Sequence, residues 1–240
     1  MSFTPVIQFS IFLSHFSNQP ITKMDSKSIT EQQHVQGMTY ISNFVSEKEQ
    51  KCLWDEININ LASNWNKEEI KRWTQHYGWN YKYKTKNSRT QLEKAKPIPE
   101  LFQSKIIQPL RQQSYFTNAR DEELQIIVNQ YLCGEGIGAH IDDEFLFGDT
   151  VVSVSLGCEY PMDFTPVENS KKRTLSQSTM DAKAQKISVQ LELGSAVVLQ
   201  NDARYKWKHG IAARRKDNGK LRTIRQSITI RTVLNTAQFK

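Results

Sequence analysis

The sequence predicts an α+β protein whose core is a β-sandwich or open barrel. Two observations carry this. Helical spacing is confined to the first half of the chain, and short β-branched runs punctuated by glycine fill the second half.

Ser46-x-x-Glu49 is a capping box, in which each side chain satisfies a free backbone N–H of the other residue. Leu53, Ile57 and Leu61 then recur every four residues, with Trp54 beside them, as one apolar helix face requires. Pro99 marks a second helix start, followed by Leu101, Phe102, Ile106 and Leu110, and Pro109 is expected to kink or shorten that helix. After Arg120 the period changes to two. Segments 124–132, 151–156, 187–193, 196–199 and 224–233 read as strands. Residues 166–186 hold Lys-Lys-Arg and Ser/Thr clusters and read as a polar loop insertion. Residues 1–35 read as a flexible leader before a single domain over 36–240.

The 240 residues are 38% hydrophobic, enough for a core in a chain of this size. No run approaches the roughly 18–20 apolar residues of a membrane helix, so no membrane partner is expected. Three cysteines, Cys52, Cys133 and Cys158, fit free thiols in a reducing compartment better than a disulfide framework. A cytoplasmic or nuclear protein, monomeric in solution, is expected.

Net charge is +7 and unevenly spread. Lys67–Lys96 holds nine basic and three acidic residues, together with Trp73, Tyr77, Trp79, Tyr81 and Tyr83. Ala203–Arg225 holds nine basic residues against Asp217 alone. Basic side chains contact phosphates and aromatic faces stack on unpaired bases, so nucleic acid is a candidate partner. A solvated strand-rich edge with core aromatics has the same composition.

The chemistry-bearing residues follow. On a strand, His140 and Asp142 project to one face. With a third ligand from elsewhere, His209 being the candidate, two imidazoles and a carboxylate form the facial triad of non-haem Fe(II) oxygenases. Alone, the His-x-Asp pair fits a surface turn as well. In the last strand Arg225, Ser227, Thr229 and Arg231 share one face, and Ile224, Ile228 and Ile230 the other. Buried arginines need anions, and a dicarboxylate supplies two. An exposed sheet face is the alternative. Asn129 and Tyr131 likewise share a face ahead of His140 and can bond a carboxylate, although strand tyrosines also serve as core residues.

Taken in chain order, Asn129-Gln-Tyr131, His140-Ile-Asp142, Ser153-Val-Ser-Leu-Gly157, Ala203-Arg-Tyr-x-Trp-x-His209-Gly-Ile and Arg225-x5-Arg231 resemble the AlkB family of Fe(II)/2-oxoglutarate dioxygenases. The resemblance spans about 38–233, and its wording is nearest to the eukaryotic tRNA-modifying members. It implies a double-stranded β-helix (jelly roll) core with N-terminal helices packed on the larger sheet. It implies Fe(II) on His140, Asp142 and His209, with 2-oxoglutarate as cosubstrate and O2 as oxidant. Arg225 and Tyr131 would meet the distal carboxylate, and Asn129 and Arg231 would lie near the end that chelates iron. Ser227 stands where some relatives carry Asn. The segment 66–96, with Arg72, Tyr77 and Tyr83, would be a nucleotide-recognition lid. Glu144, Arg204 and Trp207 would contact substrate, Glu144 as a base-reading acid. The activity implied is oxidative demethylation or hydroxylation of alkylated bases in DNA or RNA, as in repair or RNA modification. The same chemistry on a protein side chain or a tRNA wobble base is the alternative.

Overall fold

A computed structural model describes residues 35–67, 72–82, 91–167 and 186–234. The chain divides into units Met1–Gln32 and Gln33–Lys240, and the described residues all belong to the second. The greater part of the expected leader, of the 166–186 insertion and of the segment around Tyr83 therefore lies outside the described residues. Val35, assigned to that leader, is already buried in the core.

The strands, in order, are β1 Met38–Ile41, β2 Trp73–Tyr77, β3 Trp79–Lys82, β4 Gln91–Lys94, β5 Leu124–Tyr131, β6 Ile137–His140, β7 Phe147–Leu156, β8 Tyr160–Pro166, β9 Ile187–Leu191, β10 Ala196–Leu199, β11 Trp207–Ile211, β12 Lys216–Asp217, β13 Lys220–Leu221 and β14 Arg225–Val233. A six-stranded sheet runs β1-β10-β7-β14-β5-β2, and a four-stranded sheet runs β6-β11-β8-β9. Every pairing within both sheets is antiparallel. The two sheets face each other as a jelly roll, so the fold expected from the resemblance is the one found. Strands β3–β4 and β12–β13 form separate two-stranded ribbons.

The larger sheet is covered on its outer face by helices. Helix α1, Glu47–Asp55, begins at Ser46 with the capping box the sequence specified: Glu49 N–H donates to Ser46 Oγ, and Ser46 N–H donates to Glu49 Oε2. A second helical run passes through Glu100–Phe102, Gln103–Ile107 and Gln108–Gln112. The break expected at Pro109 is absorbed differently. Gln103–Ile107 is a wide π-type turn, and Pro109 falls in the first turn of the next segment, where a missing N–H is tolerated. Leu53, Ile57, Phe102 and Ile106 pack on Ile126, Val128, Val152, Val154, Ile228 and Ile230. Burying each such side chain contributes about 1.5–3 kcal/mol. Ile224, assigned to this apolar face, precedes β14 and is 40% exposed.

The opposite face of the large sheet looks into the jelly roll. Tyr131, Val151, Val197 and Leu199 meet Tyr160, Met162, Phe164 and Ile211 of the smaller sheet there. The strands named from composition left out β1 to β4, β6, β8 and β11 to β13; in β6, β8 and β11 Gly, Pro and Asp interrupt the β-branched pattern.

Gly157 ends β7 at a positive φ of 84°, where a Cβ would lie 2.6 Å from both the Ile224 carbonyl oxygen and the Trp54 ring. Trp54 stands on α1, so helix and strand end approach here too closely for a side chain between them. Gly157→Ala should destabilise the fold by about 1–3 kcal/mol. Urea midpoints measure this, and an unchanged midpoint would show that the contact is not a constraint.

Candidate active site

The site grows from β6, β11 and the segment that follows β6. His140 closes β6 and pairs across the ladder with His209 on β11, which brings the two rings to a centroid distance of 4.5 Å. The strand stops at His140. Asp142 lies in the following segment and enters the site from there rather than by strand alternation. One ligand atom from each of the three residues falls within 4.8 Å of the others.

His140 and Asp142 are each held by a partner of their own. His140 Nδ1 is 2.9 Å from the Gly138 carbonyl, which places its N–H there and frees Nε2 for a metal. Asp142 Oδ1 is paired with Arg231, while Oδ2 lies 3.5 Å from His209 Nε2. Arg231 is itself fixed, its Nε donating to Gln125 Oε1 at 2.9 Å. Burial pushes the Asp142 carboxyl up, but the charges of Arg231, His209, His140 and Arg204 outweigh it and hold the group at about 2. Burial likewise pushes the His209 imidazole down to about 4, so it is neutral at physiological pH. An ionised carboxylate and a neutral imidazole at His209 are protonation states that suit a divalent cation. His209 Nδ1 is buried without a hydrogen-bond partner, so this ring is incompletely satisfied by the protein alone. The residues fit Fe(II).

A cavity of about 390 Å³ adjoins the triad. Arg225 is 1% exposed in its wall. Its terminal nitrogen donates to Ser155 Oγ at 3.0 Å, and its Nε is buried with no partner. Burial pushes its pKa down. A buried guanidinium without a carboxylate is costly, and an anionic ligand relieves that cost. Tyr131 and Asn129 line the same cavity. These residues fit a small dicarboxylate such as 2-oxoglutarate.

Other expected site residues fall elsewhere. Tyr77 is 1% exposed on the helix side of the large sheet. It donates to Gln75 Oε1 and packs edge-on against Phe102, because odd-numbered residues of β2 face the helices. It is a core residue and does not contact substrate. Arg204 is 2% exposed, and its guanidinium donates to the carbonyls of Asp142, Asp143, Phe147 and Gly148. It holds the segment that carries Asp142 and is not free to meet substrate. Trp207 packs half-buried against the inter-sheet core, outside the cavity wall. Glu144 is exposed, and Asp143 lines the cavity instead, because the chain turns after Asp142. Ser227 is buried beneath Asn129 and Ser155, whereas Thr229 reaches the wall. Arg72 does line the cavity, and Tyr83 lies outside the described residues. Gln125, Ser155 and Asp143 were given no role by the sequence. Period-two alternation along β5 and β7 would have placed Gln125 and Ser155 on this face.

The family model for the 2OG-Fe(II) oxygenase superfamily matches residues 37–231, and the chain belongs to that family. Within it the chain is AlkB-like and an oxidoreductase, with Fe(II), 2-oxoglutarate and O2 as its requirements. It is 30% identical over 206 residues to a tRNA (carboxymethyluridine(34)-5-O)-methyltransferase, ALKBH8, of Macaca fascicularis, covering 82% of this chain and 27% of that protein. It is 29% identical over 232 residues to an alkylated DNA repair protein ALKBH8 homolog of Arabidopsis thaliana, covering 90% of this chain and 62% of that one. The chain thus spans under a third of the length of the vertebrate methyltransferase relatives it matches. The solved structure of OsALKBH1 superposes with a TM-score of 0.54 at 19% identity, covering 83% of this chain and all of that one, which shows a shared fold.

Two substitutions separate the metal from the cosubstrate. His140→Ala should abolish iron-dependent succinate formation while leaving the melting of the metal-free protein near wild type. Retained turnover would refute the ligand assignment. Arg225→Ala should raise the 2-oxoglutarate requirement about 10- to 100-fold, the range a lost charge-assisted bond gives. An unchanged requirement would contradict its role.

His76, on the cavity side of β2, is pushed down from 6.5 to about 4, by burial first and then by Arg231 and Arg72. Between those values the unfolded chain binds the extra proton, so stability falls as pH drops from about 6.5 toward 4. His76→Asn should remove part of that slope. Denaturant midpoints at pH 7 and pH 5 test it, and an identical slope would mean His76 is not a source of the acid sensitivity.

Proposed function

We propose that this chain oxidises a modified base in nucleic acid, with RNA, and tRNA in particular, as the preferred class. The observation that carries this reading is the joining of two features at one cavity. Arg72 and Tyr81, from the basic aromatic window, share its wall with His140, Asp142 and His209. Lys67 lies over the Trp73 ring at 5.4 Å and Lys94 over the buried Trp79 ring at 3.8 Å, so both lysines add positive charge to this window, while Tyr81 supplies the aromatic face in the cavity wall. Such a surface takes both a phosphate and an unstacked base. A base in a duplex would first have to be flipped out. The names of the relatives, three tied to carboxymethyluridine of tRNA and one to alkylated DNA, support a base as the oxidised group.

Fe(II) and 2-oxoglutarate, when bound, let O2 oxidise a substrate C–H bond with succinate and CO2 as co-products. The chain's own work is positional. His140, Asp142 and His209 would hold the cation. Arg231 keeps Asp142 ionised and aimed. Arg225 and Tyr131 hold the dicarboxylate. Ile127, Ile137, Val151, Met162, Val197 and Leu199 line the remainder and keep bulk water from the oxidising centre. On an N-methyl group the product is a hemiaminal that loses formaldehyde. On a ring substituent the hydroxyl is retained.

Succinate release should rise above the substrate-free background with tRNA anticodon stem-loops bearing modified wobble uridines, across a panel that includes methylated single- and double-stranded oligonucleotides. Binding should weaken steeply between low and moderate salt, as released counterions require. Stimulation by a protein or peptide alone, with nucleic-acid affinity insensitive to salt, would overturn the reading.

A further inference from the structure

Arg72 stands immediately before β2, the edge strand of the large sheet, in the window whose composition suggests substrate contact. Its surroundings point inward instead. Nε donates to Asn129 Oδ1 at 2.8 Å, and its guanidinium carbon lies 5.8 Å from the centre of the Tyr131 ring. Arg225 lies 5.5 Å from the centre of the same ring. Asn129, Tyr131 and Arg225 are the residues that fit the dicarboxylate, and Arg72 touches two of them.

The charges point the same way. Three arginines line the cavity: Arg72, Arg225 and Arg231. Arg231 is committed to Asp142 and Gln125. Arg225 keeps an unpartnered Nε. Arg72 uses Nε on Asn129, and its two terminal nitrogens bond to nothing among the described residues. A guanidinium with Nε anchored and its fork free is preorganised to receive an oxyanion.

We propose that Arg72 is a cosubstrate-binding residue, the second cationic wall that with Arg225 holds 2-oxoglutarate. The Asn129 bond sets the position of its side chain, and both guanidiniums lie against the Tyr131 ring, at 5.8 and 5.5 Å from its centre. Because Arg72 also opens the basic aromatic window, a filled cosubstrate pocket fixes one side of the entrance that substrate must use. The inference rests on the family's cosubstrate and is independent of which substrate is oxidised.

The test is direct titration of 2-oxoglutarate into the full-length protein loaded with Mn(II), in the absence of nucleic acid. Arg72→Gln should weaken 2-oxoglutarate binding by roughly tenfold, as expected for loss of one charge-assisted contact. Arg72→Lys should fall between, since an ammonium keeps the charge and loses the fork. Thermal unfolding of the unliganded variants should match wild type, because Arg72 is half-exposed. Equal 2-oxoglutarate affinity in Arg72→Gln and wild type would overturn the proposal, and a fall in nucleic-acid affinity alone would return Arg72 to the substrate side. Wild-type protein that bound no 2-oxoglutarate would refute the cosubstrate assignment itself, which is a different result from an insensitive variant.

Discussion

The Asp142 carboxylate is the constraint around which the site is built. It is 7% exposed, and a buried carboxylate survives as an anion only if its charge is met. Arg231 meets it from β14, His209 faces it from β11, and Arg204 holds its carbonyl and the next one from the short helix Asn201–Tyr205. A buried ion pair of this kind gains little net stability, since desolvating both ions offsets most of their attraction. Its value is that it leaves one carboxylate oxygen in one place. The long central strand β14, hydrogen-bonded on both sides by β5 and β7, makes that place reproducible.

The same strand explains why the jelly roll suits this chemistry. Successive residues of β14 alternate between a helix-covered apolar core and a charged interior cavity. Ile228 and Ile230 fasten the sheet to its helices, and this permits Arg225 and Arg231 to be held against burial on the other side. The stabilising face supports the costly one, residue by residue, across a single strand. Ser155 and Gln125 on the flanking strands accept the hydrogen bonds those arginines would otherwise lose.

Much of this was legible because period-two alternation is a rigid rule. The faces of β14, the shared face of Asn129 and Tyr131, and the Ser46–Glu49 cap all follow from spacing alone. Reading composition in place of spacing produced the errors. Tyr77 counts as an aromatic of a basic window, yet its parity in β2 sends it to the helices beside Gln75. The nine basic residues of 203–225 count as surface charge, yet Arg204, Arg222 and Arg225 are almost fully buried. No local signal distinguishes a buried guanidinium from an exposed one. The difference lies in the carbonyls and carboxylates each one meets, Asp142 to Gly148 from far along the chain for Arg204, and Ala212 and Asp217 from the turn just before it for Arg222. His140 and Asp142 came together as the spacing required, but β6 ends between them, so arginines set the last ligand where pleat alone does not.

A net charge of +7 therefore means two different things in this chain. Part of it lies outside, where lysines over Trp73 and Trp79 make a face that attracts polyanions and is screened by salt. Part lies inside, where Arg225 has no carboxylate partner among the described residues and salt reaches it poorly. The outer charge governs encounter with a large anion, and the inner charge governs retention of a small one. Arg72 stands between these two populations, bonded inward to Asn129 and opening outward into the aromatic window. Under the proposed function a single electrostatic design would order the two binding events in space, with the dicarboxylate deep, against charges that only it can neutralise, and the larger partner over it.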